Sequence, residues 1–284
     1  MNNRNGRTRS LILAMGVMMA LVSPPVAAEP KGWTNETFMS RFTLIGGGFM
    51  PQSNTTVRLD TSDGDTGTEI DMEDLLGLES SKAVPFFLFN WRINPKHRVV
   101  AEYFQLNRSG QQVISGEINW GDLNFPVGAS LESSLDFQLG RLGYGYSLFN
   151  DGRKEIGVSI GLHVASFSTR LRGSVQAGDT GGSVESETAN LTLPLPNVGL
   201  QGGYAFTDKF SVSLRALAFY LAVEDFKGYL LAGDLLATYN LFEQVGIGAG
   251  YSVFDINYQN KIQGLNFEVE YLFHGPKAFA TIYF

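Results

Sequence analysis

Phe279-Ala280-Thr281-Ile282-Tyr283-Phe284 alternates in character and places an aromatic residue at the last position. In an extended strand, successive side chains point to opposite faces. Ala278, Ala280, Ile282 and Phe284 therefore share one face, and Lys277, Phe279, Thr281 and Tyr283 the other. The same pattern recurs upstream. In Val84–Ile93, Phe87, Phe89, Trp91 and Ile93 oppose Leu88, Asn90 and Arg92. From Glu155 to Arg170, Ile156, Val158, Ile160, Leu162 and Val164 oppose Gly157, Ser159, Gly161 and His163. The chain is all-β on this pattern.

Turn chemistry orders the strands. Asn94–His97, Asn150–Arg153, Thr207–Lys209 and Glu243–Gln244 are tight polar turns. Between them lie longer connections, above all 51–83, 108–133 and 171–188. Alternating short and long connections are expected of transmembrane barrels, with short turns periplasmic and long loops outside. The spacing predicts an antiparallel up-and-down β-barrel of about ten strands, with about eight or twelve as alternatives. Changes of face near Gly140 and at Gly275-Pro276 predict bulges. Trp91, Tyr146, Phe149, Tyr204, Phe206, Phe210, Tyr239, Phe242 and Phe284 cluster beside the tight turns, as an interfacial girdle would.

A final strand closing on a terminal Phe resembles that of Gram-negative outer-membrane β-barrels. The resemblance implies a cell outer-membrane location, contact with outer-membrane lipid and lipopolysaccharide, and reading of Phe284 by the barrel-assembly machinery. The other end fits. Arg4, Arg7 and Arg9 precede the apolar run Leu11–Val22 and the small residues Val26-Ala27-Ala28. This predicts a signal peptide over 1–28, a periplasmic lead-in over 29–38 and a barrel over 39–284. The chain carries 28 Asp+Glu against 21 Lys+Arg and no cysteine. That acidity argues against nucleic acid as a partner, and no thiolate chemistry or disulfide framework is available. A monomer is expected, with no cofactor and no metal.

Side chains turned inward are where chemistry could reside. The pattern nominates Arg41, Arg92, Glu102, Asp136, Arg141, His163, Arg215, Asp234, Glu268, Glu270, His274 and Lys277 as lumen-lining. Both signs occur, so they either form a compensating network or line a narrow polar channel. Leu217, Phe219, Leu221, Leu230, Leu236, Phe254 and Ile256 also point inward. They either pack under the loops or form an apolar pocket.

The segment 60–79 is rich in acids, among them Asp60, Asp63, Asp65, Glu69 and Asp71, which are candidates for a lumen plug or for cation contacts. Asp71 followed by Met72, Leu75 and Leu76 predicts a capped amphipathic helix across the mouth. An EF-hand spacing is absent, so no metal is assigned. Thr68-Glu69-Ile70-Asp71 and Leu76-Gly77-Leu78 ahead of the second strand resemble a group of proteobacterial outer-membrane proteins. The resemblance covers about a fifth of the mature chain and implies no activity.

Three functions follow. The first is a small structural barrel or narrow pore for small solutes. The second is a barrel that binds through its extracellular loops. The third is a lipid-modifying or proteolytic barrel enzyme. Lipid A deacylases resemble the chain only in a late His, and no Ser follows His274 by two residues. Omptin proteases use an Asp–His pair at the mouth, and His163 has no acidic neighbour in sequence. The expectation is a protein that is not an enzyme.

Overall fold

The computed structural model describes residues 33–60, 67–120, 123–177, 180–223, 226–262 and 265–284. The leader and Asp63 and Asp65 lie outside them. Thr34–Phe284 form one compact unit. It begins with one helical turn, α1 (Glu36–Met39), followed by strands. These are β1 (Phe42–Phe49), β2 (Gln52–Leu59), β3 (Ile70–Asp71), β4 (Val84–Arg92), β5 (His97–Val113), β6 (Ile118–Trp120) and β7 (Leu123–Phe125). Then come β8 (Ser130–Asn150), β9 (Lys154–Ala177), β10 (Thr180–Ala205), β11 (Phe210–Val223), β12 (Phe226–Asn240), β13 (Val245–Ile262) and β14 (Leu265–Tyr283).

Neighbours in sequence pair antiparallel from β8 to β14, and β1 pairs with both β4 and β14. β1 and β2 act as one wall strand. β1 takes the tight-turn half of β14, from Thr43↔Tyr283 to Phe49↔Lys277, and β2 takes the other half, from Gln52↔His274 to Leu59↔Phe267. The result is a closed ten-strand barrel. With β1 paired on both sides, the wall at that end has no free edge between β4 and β14, which is how strands can cross a bilayer with their backbone groups paired.

The outside is apolar where lipid would lie. Leu142, Ile156, Ile160 and Val198 each keep 60–62 % of their surface exposed. Phe87, Phe89, Trp91, Phe206, Tyr239, Phe242 and Phe284 are also exposed, and apart from Phe87 and Phe89 they lie close to the tight-turn end. This is the belt and girdle of a membrane barrel.

The expected bulges at Gly140 and Gly275 are not there. β8 keeps register through Gly140 with both β5 and β9, and shifts only between Ser147 and Phe149. β14 pairs without interruption from Val245↔Ile282 to Ile262↔Leu265. Leu135, Phe137, Leu139, Tyr271 and Phe273 are buried inside the barrel. Apolar character in the upper half thus marks the lumen as well as the lipid face, and it mimics a change of face.

The long connections are largely wall. β5 runs to Val113, β8 starts at Ser130, and β9 and β10 pair up to Ala177↔Thr180. The segment 67–82 is not a helix across the mouth. It forms turns and bridges β2 to β5. Ser53 N donates to Ser80 O (2.7 Å) and Met72 N to Thr55 O (2.9 Å) on one side, and Glu79 N to Ser109 O (3.4 Å) on the other. Ile70, Met72, Leu76 and Leu78 are buried against the core. Asp71 does accept a cap bond from Asp74 N (2.9 Å), but the turn does not propagate.

Candidate functional site

The lumen is layered from the tight-turn end upward. α1 is its floor. Asn35 caps the turn, accepting from Thr37 N (3.0 Å), and its Nδ2 donates to the carbonyls of Thr207 and Asp208 (3.2 and 2.9 Å). Thr37 Oγ1 pairs with Ser211 Oγ and Tyr283 Oη (3.0 and 3.1 Å), and Asn150 Nδ2 donates to Phe38 O (3.1 Å). Phe38 is buried. The expected lead-in is therefore tied into the barrel mouth by four different strands or turns.

Above α1 sit two ion groups. In the lower one, Glu155 accepts from Arg92 Nη1 and Nη2 (3.1 and 3.0 Å), from Arg98 Nη1 (3.1 Å) and from Ser147 Oγ. In the upper one, Arg215 bridges Glu102 (2.6 Å) and Asp234 (2.5 Å). Asp234 also accepts from Lys277 Nζ (3.1 Å) and Ser252 Oγ (2.5 Å), and Arg141 Nη1 reaches Glu102 at 3.5 Å. Lys277 Nζ lies 4.8 Å from the Phe86 ring centre and 5.0 Å from that of Phe49. Charges on a low-dielectric wall persist when paired in this way.

Higher still, Phe49, Phe104, Phe137, Phe167, Phe254, Tyr271 and Phe273 fill the barrel. Their ring centres lie 4.8–6.3 Å apart in stacked and edge contacts. Buried Arg108 lies over this layer, 5.5 Å from the Tyr271 ring. It is held by Glu73 and by Thr55 Oγ1 (2.6 Å) and Glu79 O (3.2 Å). A cavity of about 140 Å³ separates α1 from the ion groups, and one of about 50 Å³ separates these from the aromatic layer.

Of the nominated residues, Arg92, Glu102, Arg141, Arg215, Asp234 and Lys277 meet in these groups. His163 is buried beside them, bonded to Asn197 Nδ2 through Nδ1 (3.0 Å). The other five are not in the lumen. Arg41 is exposed below β1, over the Phe42 ring (5.5 Å), because the strand begins only at Phe42. Asp136 is exposed on the outer face, since β8 continues in phase past Gly140. Glu268, Glu270 and His274 fall on the outer face of β14 for the same reason. They bond to Gln259 (2.6 Å), Asn257 (2.9 Å) and Tyr251 (2.6 Å).

Asp60 is buried, accepting from Arg58 Nε (2.7 Å) and Gly67 N (3.3 Å), while Glu69 is exposed. Leu217, Leu230, Phe254 and Ile256 are packed into the core, with Phe219 and Leu236 against it. Leu221 is exposed. Among the described residues, no three His, Cys, Asp or Glu side chains gather to hold a metal ion.

Sequence reasoning did not nominate Arg98, Arg108, Glu73 or Glu155. Arg98 and Arg108 share the period-two face of Glu102, and Glu155 shares that of His163, so strand parity carried the signal for these three.

No protein-family model matches the chain, and no curated protein matches it. Solved structures do. The outer membrane protease OmpT from Escherichia coli superposes with a TM-score of 0.56 at 12% identity, over 91% of this chain and 100% of that one. OprG from Pseudomonas aeruginosa gives 0.36 at 13%, over 89% and 99%. Ail of Yersinia pestis, in its complex with sucrose octasulfate, gives 0.34 at 10%, over 84% and 99%. With the apolar belt and closed wall, the fold is that of an outer-membrane β-barrel.

Proposed function

We propose that this barrel is a closed structural element of the outer membrane whose lumen does not conduct at rest. The observation that carries the reading is the aromatic layer. Its seven rings meet at van der Waals spacing across the lumen, between paired charges below and Arg108 above. A water-filled pore needs a continuous polar path, and this layer interrupts one. Planar-bilayer recording of the refolded barrel tests the reading. Wild type should be silent, and Phe137→Ala with Phe273→Ala should open brief conducting events. Steady conductance in wild type would overturn it.

A second reading is favoured by the reach of β9 and β10. They have 24 and 26 residues, and a tilted strand needs about 9–11 to cross a bilayer. The surplus forms a sheet above the membrane, a rigid platform of the kind that supports surface binding. Deleting its upper half should then remove a surface interaction and leave insertion intact. A role without catalysis fits the histidines. The chain has three: His97 at the start of β5, His163 inside the barrel and His274 on the outer face of β14.

A further inference from the structure

The wall is not paired to its full height. β10 and β11 share a ladder from Ala205↔Ser211 up to Val198↔Ala218, and among the described residues no further pair follows, although both strands run on. Two prolines account for the break. Ala205 N donates to Arg153 O, beside β9, and Phe206 N to Phe210 O, in β11. Register with β9 is unbroken from Glu187 to Tyr204, and the backbone groups of a strand face its two neighbours alternately. The even-numbered groups of β10 above Val198, as far as Thr188, therefore face the β11 side. Continued upward, the ladder would set Pro196 against Tyr220 and Pro194 against Ala222. Each such pair loses a hydrogen bond, because proline has no N–H to give.

Above the prolines the donors return. Thr188, Asn190 and Thr192 each turn an N–H and a C=O to the open side, where among the described residues no strand lies beside them. Pro194 and Pro196 pair with Val164 and Leu162 of β9, the last apolar residues on its outer face before Ser166 and Ser168. The free edge thus begins at the top of the apolar belt, and its donors stand above it. Across the gap, Leu221 shares the inward face of β11 with core-packed Leu217 and Phe219, yet it is 40% exposed. The strand that would cover it is missing.

We infer that this edge of β10 takes an extended peptide segment of a partner protein as an added strand. The segment bonds to Thr188, Asn190 and Thr192, gives its own N–H groups to the carbonyls of Pro194 and Pro196, and turns apolar side chains at alternate positions toward Leu221. Unpaired strand edges recruit extended backbone in this way, and period-two side chains add selectivity. A second copy in the same membrane is not the partner. Wall strands tilt by roughly 35–45°, and two-fold rotation about the membrane normal reverses the tilt, so two facing β10 strands would cross at twice that angle. The inference rests on the reading of the upper sheet as a binding platform and supplies the chemistry of what it binds.

The test uses the refolded barrel in detergent micelles and a short fluorescent peptide that alternates Val and Thr between terminal lysines. The same peptide N-methylated along its core is the reference. The first should bind saturably, and the reference, which has no donors for the ladder, about tenfold or more weakly. Binding should protect the amides of Asn190 and Thr192 from hydrogen exchange and leave those of Leu191 and Leu193, which face β9, unchanged. Asn190→Pro with Thr192→Pro removes two donors from the open side and none from the β9 side, so the barrel should fold and bind about tenfold or more weakly. Absence of saturable binding, or equal binding of the two peptides by wild type, overturns the inference whatever the variant does. A folded double variant that binds as wild type does overturns it too, and leaves the platform reading standing. That reading falls on its own test, if the upper half can be deleted without loss of a surface interaction.

Discussion

Glu155→Gln should be among the most damaging single substitutions in the lumen. Glu155 is 2% exposed and accepts four hydrogen bonds from Arg92, Arg98 and Ser147. The amide keeps the size and one accepting oxygen but not the charge, so two guanidiniums face each other uncompensated. Removing one partner of a buried ion pair costs about 3–5 kcal/mol. Arg92 is 4% exposed and Arg98 15%, the latter bordering the 140 Å³ cavity. Water there relieves part of the penalty, which places the loss near the lower bound, about 3 kcal/mol, or roughly a hundredfold in the folding equilibrium. Urea unfolding in phospholipid vesicles, followed by tryptophan fluorescence, measures it. Adding Arg92→Met should recover part of the loss, because one orphaned guanidinium goes with it. A loss under about 1 kcal/mol, or no recovery in the double variant, would mean that the lumen solvates its charges and that the pairing argument is wrong.

Two further substitutions test other parts of the wall. Gly47→Ala should block the seam, since a Cβ there would stand 2.1 Å from Ala278 O and 2.7 Å from Phe279 Cα. Overpacking of this kind costs about 1–3 kcal/mol, seen as a smaller heat-modifiable folded band on gels. Arg108→Met should free segment 67–82 from Glu73 and Thr55. Protease should then cut that segment at a several-fold higher rate while the barrel strands stay protected; equal rates would exclude the bridge as its anchor.

Much of this architecture was legible in the residues, for reasons that also explain the errors. Lipid on one side and a polar lumen on the other force clean alternation, so β4 and β9 were assigned to the correct faces throughout. The tight turns gave the strand number because each must reverse the chain in two to four residues. The rule fails where its premise fails. Around Phe137 and Tyr271 the lumen is itself apolar, and the assigned face flipped, taking Asp136, Glu268, Glu270 and His274 with it. In β2 the core-facing residues Ser53 and Thr55 are themselves small and polar though buried, so Gln52-Ser53-Asn54-Thr55-Thr56 had the composition of a loop although it forms a strand. The partners of Arg108 could not be foreseen either, since Glu73 reaches it only once 67–82 is built into the wall.

The seam has a kinetic meaning. Thr43 meets Tyr283, and Phe267 meets Leu59, so one strand near the end of the chain must capture both halves of the first strand. Contacts this distant in sequence reward the chain only after the intervening loop has closed. Barrel closure is thus the last and slowest event. Until it occurs, β14 and the β1–β2 strand are open edges that another copy could pair with. Closing the seam removes both edges at once.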